Sequence, residues 1–421
     1  MLSRRYDRGM SETICLHNGT VLTGFAAMED CAVLIEDGLI SDVFSERRFR
    51  QRNFGPKDIV IDVGGAYVAP GFIDTHIHGM GGYGTEDSFF DGPNPIGVAD
   101  EDAAVEIGAQ AVLGMSRALA RQGVTAFNPT IYPSEPELML RATRAASSAM
   151  GREEGARIMG LHLEGPFISP DKLGAQKPEG VMPVDLDFME KLWKASAGSI
   201  VNMTIAPELK GMRGLALYCM KKGIVPQAGH TDANYENMVE GIQAGVLHST
   251  HLFNAMSRLD HRNPNAAGAI LIHTEMSCEL IADGFHVHPD LLQFLLRNKP
   301  IDKIALITDG LKPTAQAEGP FFANGTEMVF RGGVFRRASD DVIVGSGLTM
   351  IRGVRNLVDA GFSLSNAVKT ASFNPAQIMG YSRQGAIIPR KFADITVFDK
   401  NFDVRLVMVG GKIVKEYGDA G

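Results

Sequence analysis

Residues 71–82 read GFIDTHIHGMGG, and the reading of this stretch decides the fold. Apolar residues lead up to Ile77 as a strand would. Side chains on a strand alternate between its two faces, so His76 and His78 point the same way. Two imidazoles on one face suit a divalent metal. The glycines behind them complete a literal GxGxxG, GMGGYG over residues 79–84, which would belong to a dinucleotide-binding turn of an open, doubly wound sheet. That fold requires a helix to begin at the glycines. The segment from Thr85 to Pro95 is acidic and rich in Pro and Gly, so no helix can start there. The glycines are read instead as room for a close backbone approach. The histidine pair settles nothing alone, because 11 His in 421 residues give roughly 0.3 such pairs per chain by chance.

Outward from this strand, strand-like and helix-like segments alternate from about residue 69 to 381. Eight strand candidates stand in chain order: YVAPGFIDTHIH, GVTAFNPTI, ARIMGLHLEG, SIVNMTIAPE, GIVPQAGHT, HSTHLFNA, CELIADGFHV and KIALITDG. Helical stretches such as AVLGMSRALARQ, YENMVEGIQAG and PDLLQFLLRN lie between several of them. Eight alternations over about 310 residues predict an α/β fold, a TIM-like (β/α)8 barrel. The two ends of the chain resemble each other instead. ETICLHNGTVLTG and CAVLIEDGLISDVF are short apolar runs broken by Asn-Gly and Asp-Gly, which read as hairpin signals. ADITVFDKNFDVRLVMVGGKIVKEYG adds three strands, the last two joined by Gly410-Gly411. Residues 1–68 and 382–421 are therefore expected to pair into one small β-sandwich domain beside a barrel of residues 69–381.

Composition narrows the function. Hydrophobic residues make up 45% and charged residues 21%, as in a globular protein with a large core. A net charge of −8 argues against a dedicated nucleic-acid binder. Cys15, Cys31, Cys219 and Cys278 show no CxxC spacing, so neither a zinc knot nor a disulfide framework is expected. The opening MLSRRYDRGMSETICLHNG has basic residues but no apolar stretch behind them, and no run of about 18 apolar residues follows anywhere. The expected location is the cytoplasm, without a membrane anchor.

In a barrel, strands end at the catalytic face. Here the first candidate strand ends on His76 and His78, the third on Glu164, and the fifth on His230. The sixth ends on His251, the seventh on His286 and the eighth on Asp309. Imidazoles and carboxylates converging on one barrel mouth make a hydrolytic site for one or two metal ions. A carboxylate beside the attacking water can take its proton and pass it to the leaving group, and Asp309 is the unassigned one. Other histidines read differently. His248, at an odd offset from His251, should face the helices. His17 and His273 have no evident partners, and His162 is expected behind the metal.

The barrel with a terminal β domain and THIH resembles the amidohydrolase superfamily. The fourth strand, NMTIAPE, carries no lysine at its end, so the carbamylated-lysine bridge of many members is not implied. Glu164 in HLEGPF stands at the third strand instead. With AGHT, THLFNAM, ADGFHVH, ITDG and GSGLTMIRGVRNLV in collinear order, the chain is similar to the N-acetylglucosamine-6-phosphate deacetylase family over nearly its whole length. The resemblance implies that Glu164, His230 and His251 hold the main metal and that Asp309 is the catalytic acid/base. It also implies that the backbone at Asn254-Ala255, with Arg262 and His286, binds the sugar phosphate. Ala175-Gln176 would contact the N-acetyl sugar, and Ile343, Val344 and Gly345 would line the pocket. Some members have Gln for the first histidine of THIH and hold one metal. This chain keeps both, so His76, His78 and Asp309 are expected to hold a second ion bridged to the first by Glu164. Where some members have a substrate-contacting His, KLGAQKP has Gln176, which can donate a hydrogen bond but cannot become an imidazolium.

The implied activity is hydrolysis of the acetamide of N-acetylglucosamine 6-phosphate, as in amino-sugar catabolism and cell-wall recycling. Zn is the expected metal, and Fe, Mn and Co suit the same ligands. Arg262 would reach the neighbouring subunit's site, which implies a homodimer. Three alternatives stand beside this reading: the galactosamine epimer, a cyclic amidase such as a dihydroorotase, and a non-catalytic sugar-phosphate sensor. The missing lysine disfavours the second, and the intact set of ligands and base disfavours the third.

Overall fold

The computed structural model describes residues 13–91, 94, 95 and 101–415. Eight parallel strands form the barrel: β1 Phe72–Ile77, β2 Val124–Ile131, β3 Leu161–Leu163, β4 Ile200–Ile205, β5 Val225–Ala228, β6 His248–Ser249, β7 Ser277–Ile281 and β8 Ile304–Ile307. Each pairs with the next in chain order. The seam between β8 and β1 is joined at its upper end, where Asp309 N donates to His76 O at 3.0 Å and His78 N to Gly310 O at 2.9 Å. All eight expected strands are present, and helices stand between them as the alternation predicts.

The helices form because their apolar residues recur at helical spacing and bury one stripe against the strands. In Met350–Asp359 the buried residues include Met350, Ile351, Val354 and Leu357. Each such side chain contributes about 1.5–3 kcal/mol on burial. Ends are set locally. Asn234 and Asn237 cap Tyr235–Gln243 reciprocally, and Gly223, at φ +76°, ends Met212–Lys222 in the left-handed region that favours glycine.

The barrel strands are buried almost throughout, yet their inward faces are not apolar. Asn128, Asn202, Gln227, Thr250 and Glu279 fill the interior below the site and hydrogen-bond to one another. Buried polar groups are stable only when paired, and these are.

The chain ends share one eight-stranded sheet. Its spatial order is Lys412–Lys415, Val404–Val409, Ile395–Phe398, Tyr67–Pro70, Thr13–Leu22, Ala27–Glu36 and Leu39–Ser45, with Ile59–Asp62 also beside Thr13–Leu22. Antiparallel pairing of Tyr67–Pro70 with Ile395–Phe398 joins the two ends. Asp37-Gly38 and Gly410-Gly411, all at positive φ, turn the expected hairpins. Asn18-Gly19 does not. The strand Thr13–Leu22 runs straight through it with a register shift, because Gly19 lies so close to Val63 and Ala66 that a Cβ would meet Val63 at 2.6 Å.

Two further features differ from expectation. Thr85–Ser88 forms a single 3-10 turn behind the glycines. Between β8 and Met350–Asp359 the chain inserts a four-stranded antiparallel sheet, Gly319–Ala323, Thr326–Arg331, Val334–Arg337 and Ile343–Ser346. Its apolar side packs Ala323, Met328, Phe330, Phe335 and Val344 with Tyr132 and Leu311 over the barrel mouth. The four cysteines are free and buried. No helix among the described residues is long and apolar enough to cross a membrane.

Candidate active site

The upper ends of the strands bring the expected ligands together. Two buried groups, His76 with His78 and Asp309, and Glu164 with His230 and His251, each gather their ligand atoms within 4.8 Å. Glu164 stands between them. Its Oε1 is 3.0 Å from Nε2 of His230, 3.0 Å from Nε2 of His251 and 3.3 Å from Nε2 of His76, while its Oε2 is 3.1 Å from Nε2 of His78. Asp309 Oδ1 is 3.5 Å from Nε2 of both His76 and His78. His230, His251 and Asp309 all take positive φ, at 45°, 25° and 49°. Such conformations cost non-glycine residues of order 1–3 kcal/mol each and are retained where the surroundings impose them, often at functional sites.

Donor chemistry shows that this cluster fits a metal. Nδ1 of His76 faces Glu279 Oε2 at 2.9 Å, Nδ1 of His78 faces Thr130 O at 3.2 Å, and Nδ1 of His230 faces Lys172 O at 3.0 Å. All three partners only accept, so each ring, when neutral, keeps its proton on Nδ1 and turns a lone pair on Nε2 inward. Those lone pairs face carboxylate oxygens. Nε2 of His76 is buried without a hydrogen-bond partner, and Nε2 of His230 and His251 lie 3.1 Å apart. Only a cation turns such an arrangement from repulsion into attraction. The electrostatics agree. Burial would raise the Glu164 carboxyl, yet His76, His230 and His251 hold it well below the ordinary range. Burial would lower His76, yet Glu279, Glu164 and Asp309 raise it well above.

Several positioning groups have no counterpart in the sequence reading. Glu279, wholly buried on β7, accepts from His76 Nδ1 and, at 3.0 Å, from Gln227 Nε2. A single acid inside the apolar run SCELI was the available signal. Asp74, on the same face of β1 as His76, accepts from the hydroxyl and backbone N of Thr308 and so ties β1 to β8. His162 lies behind His76 as expected, ring centroids 4.5 Å apart. His248 does not face the helices: it points into the barrel, 3.9 Å from Glu279 Oε1, with Nδ1 2.7 Å from Ser277 Oγ. Its two-residue offset from inward-facing Thr250, rather than its offset from His251, sets its face, because the chain leaves the strand before His251. His17 and His273 do have partners. His17 stacks on Phe49 beside Glu46, and His273 meets Tyr235 and Glu275.

Above the cluster lies a cavity of about 220 Å³. His78, Glu164, His230, His251 and Asp309 form part of its lining, with Ala175, Gln176, Asn254, Ala255 and His286 also around it. Ile343, Val344 and Gly345 close another side. His76 lies beneath this lining, fully buried. Asn324, Thr326 and Met328 from the inserted sheet complete the wall. Arg262 sits on an exposed loop and is not part of this lining. Burial would lower His286, but its hydrogen bond to Asp283 at 2.7 Å and the charge of that carboxylate raise it. Gly79 confirms the close backbone approach: a Cβ there would meet Lys312 Cα at 2.4 Å.

Comparison with known proteins identifies the family. Residues 67–414 match the amidohydrolase family. The chain is 32% identical to N-acetylglucosamine-6-phosphate deacetylase of Bacillus subtilis, over 96% of this chain and 98% of the relative. It belongs to the amidohydrolase family, in the N-acetylglucosamine-6-phosphate deacetylase branch. An N-acetylgalactosamine-6-phosphate deacetylase of Escherichia coli O157:H7 is 29% identical over 82% of this chain and 87% of the relative. Among solved structures, the N-acetylglucosamine-6-phosphate deacetylase of Pasteurella multocida superposes with a TM-score of 0.84 at 25% identity, covering 95% and 99% of the two chains. A Mycobacterium smegmatis deacetylase mutant in complex with N-acetyl-D-glucosamine-6-phosphate gives 0.81 at 27% identity, covering 96% and 100%. The amidohydrolase thus shares its fold with these two solved structures over 95–96% of its length.

Proposed function

We propose that this amidohydrolase hydrolyses the acetamide of N-acetylglucosamine 6-phosphate to glucosamine 6-phosphate and acetate. The observation that carries the reading is the pair of imidazole–carboxylate groups at the floor of a cavity, with Asp309 reaching the cavity surface above them. Glu164, His230 and His251 would hold one divalent ion, and His76, His78 and Asp309 a second. Zn is the preferred ion, with Fe, Mn and Co suited to the same donors. When bound, the metal supplies Lewis-acid polarisation and a more acidic water.

The chain's own groups do the rest. Asp309, only 9% exposed, accepts a proton from water as its oxygen bonds to the acetyl carbon. It returns that proton to nitrogen as the carbon–nitrogen bond breaks, so the amine leaves neutral and the acyl group leaves as acetic acid, which ionises to acetate by giving its proton to solvent. Gln176 and the backbone at Ala175 would meet the acetamide. His286, whose protonated form Asp283 favours, would meet the phosphate together with the backbone at Asn254-Ala255. Arg262 would complete the phosphate site from a second copy of the chain, making the working unit a homodimer in the cytoplasm.

Acetate release from a panel of N-acetylated hexosamine 6-phosphates, with metal content measured on the same sample, tests this. Turnover of the gluco compound that disappears on chelation and returns with added metal is expected. Full turnover in a metal-free sample refutes the metal-dependent reading. Exclusive use of the galacto epimer would reassign the substrate.

A further inference from the structure

The two ion-binding groups carry the same donors, two imidazoles and one carboxylate, so donor type alone does not rank them. The two oxygens of Glu164 are treated differently. Oε1 faces Nε2 of His230 and His251, each at 3.0 Å, and Nε2 of His76 at the longer distance of 3.3 Å. Oε2 faces Nε2 of His78 at 3.1 Å and also accepts a hydrogen bond from Gln176 Nε2 at 2.5 Å. An amide oxygen against a carboxylate would be repelled, so Gln176 presents its NH2. Gln176 is 8% exposed, and its own backbone N donates to Leu173 O at 2.9 Å. The same loop receives His230, through Lys172 O at Nδ1 and Ser169 N at the His230 carbonyl.

We propose that Gln176 is a positioning residue that sets the order in which the two metal positions fill. The inference rests on the metal-dependent reading above. The Gln176 N–H holds Oε2 and so aims Oε1 at the position formed with His230 and His251. It also sets the positive end of a dipole against Oε2, where an ion held by His76, His78 and Asp309 would share the carboxylate. One hydrogen bond strengthens the first position and weakens the second. Outer partners of metal ligands commonly change affinity by about 10–100-fold.

Zinc-binding isotherms of the metal-stripped full chain, measured by competition with a chromophoric chelator, read this directly. In the wild-type protein two dissociation constants separated by about 100-fold or more are expected. In Gln176→Ala the first should weaken and the second tighten, shrinking the separation by at least about 10-fold. Gln176→His keeps an N–H donor at this place and should stay near wild type, with circular dichroism confirming that both variants are folded. A wild-type chain that takes one ion while Gln176→Ala takes two supports the proposal equally. An unchanged separation in Gln176→Ala, or equal weakening at both positions, overturns it. A wild-type chain that takes up no zinc overturns the metal-dependent reading and this proposal with it.

Discussion

Glu279 is the residue whose removal the structure allows to be costed. Three donors converge on its carboxylate: His76 Nδ1 at 2.9 Å, Gln227 Nε2 at 3.0 Å and His251 N at 3.3 Å. In Glu279→Ala all three lose their acceptor in a site closed to solvent. An unsatisfied buried donor costs about 1–3 kcal/mol, and the longest of the three contributes least. Losing the buried charge returns part of that, because its desolvation penalty vanishes. A net loss of about 3 kcal/mol is expected, or about 1 M in urea midpoint for a slope near 3 kcal/mol/M. Unfolding should be followed in chelator, since a bound ion would stabilise the two proteins unequally. Glu279→Gln keeps the volume but must turn its NH2 toward either His76 Nδ1–H or Gln227 Nε2–H. The expected result is a small change in stability with a 10–100-fold loss of metal affinity, read by chelator competition. If Glu279→Ala unfolds within 0.1 M of wild type (about 0.3 kcal/mol at that slope), or Glu279→Gln binds zinc as tightly, then Glu279 does not orient His76.

Asp309→Asn should keep metal and lower kcat by about 10²–10⁴, the usual worth of a positioned proton carrier; a variant within a factor of two places the base elsewhere. The pH dependence of KM for the phosphorylated sugar should follow His286. Because Asp283 raises its pKa, the cation persists above the ordinary value of 6.5, and KM should climb as pH rises through the raised value. The stability contributed by the same pair is present below about 6.5 and fades over that same rise. His286→Gln should flatten this limb of the KM profile, and a limb that survives belongs to another group. Arg262→Ala should raise KM for the phosphorylated sugar far more than for the unphosphorylated one. Mixing it with Asp309→Asn chains should regain activity through hybrid sites, and no recovery after exchange would confine Arg262 to its own chain.

The parts of the site that were legible in sequence are those delivered by strand ends. His76, His78, Glu164, His230, His251 and Asp309 each follow an apolar run, and a parallel barrel sends all such ends to one face. What lay below them was not legible for a physical reason. A buried parallel strand is expected to read as apolar, and Asn128, Asn202, Gln227 and Glu279 break that rule by satisfying one another across strands far apart in sequence. Pairing of that kind has no local signature. The inserted sheet did have one: Asn324-Gly325 and Gly332-Gly333 punctuate alternating apolar residues and turn its first two hairpins. Asn18-Gly19 carries the same signal without the turn, because the contact with Val63 and Ala66 that overrides it spans over 40 residues.

The polar interior also explains which nitrogen of His76 keeps its proton when a metal binds. Tyr381 Oη donates to Asn128 Oδ1 at 2.8 Å, Asn128 Nδ2 to Asn202 Oδ1 at 3.1 Å, Asn202 Nδ2 to Gln227 Oε1 at 2.6 Å, and Gln227 Nε2 to Glu279 Oε1 at 3.0 Å. Every bond in this chain runs the same way, toward the carboxylate. An amide reversed at any link would set N–H against N–H or oxygen against oxygen, so the direction is decided at the end that can only accept. That end is Glu279, held at a pKa of about 2, below the ordinary carboxylate range, because the imidazoles of His76, His248 and His162 and the hydrogen bond from His76 outweigh its burial. A carboxylate fixed in the ionised state accepts from His76 Nδ1 and keeps that proton in place, so the proton that an arriving ion would displace is the one on Nε2. The buried amides thus cost no unpaired group, and the tautomer that a metal requires is set by residues that never approach the cavity.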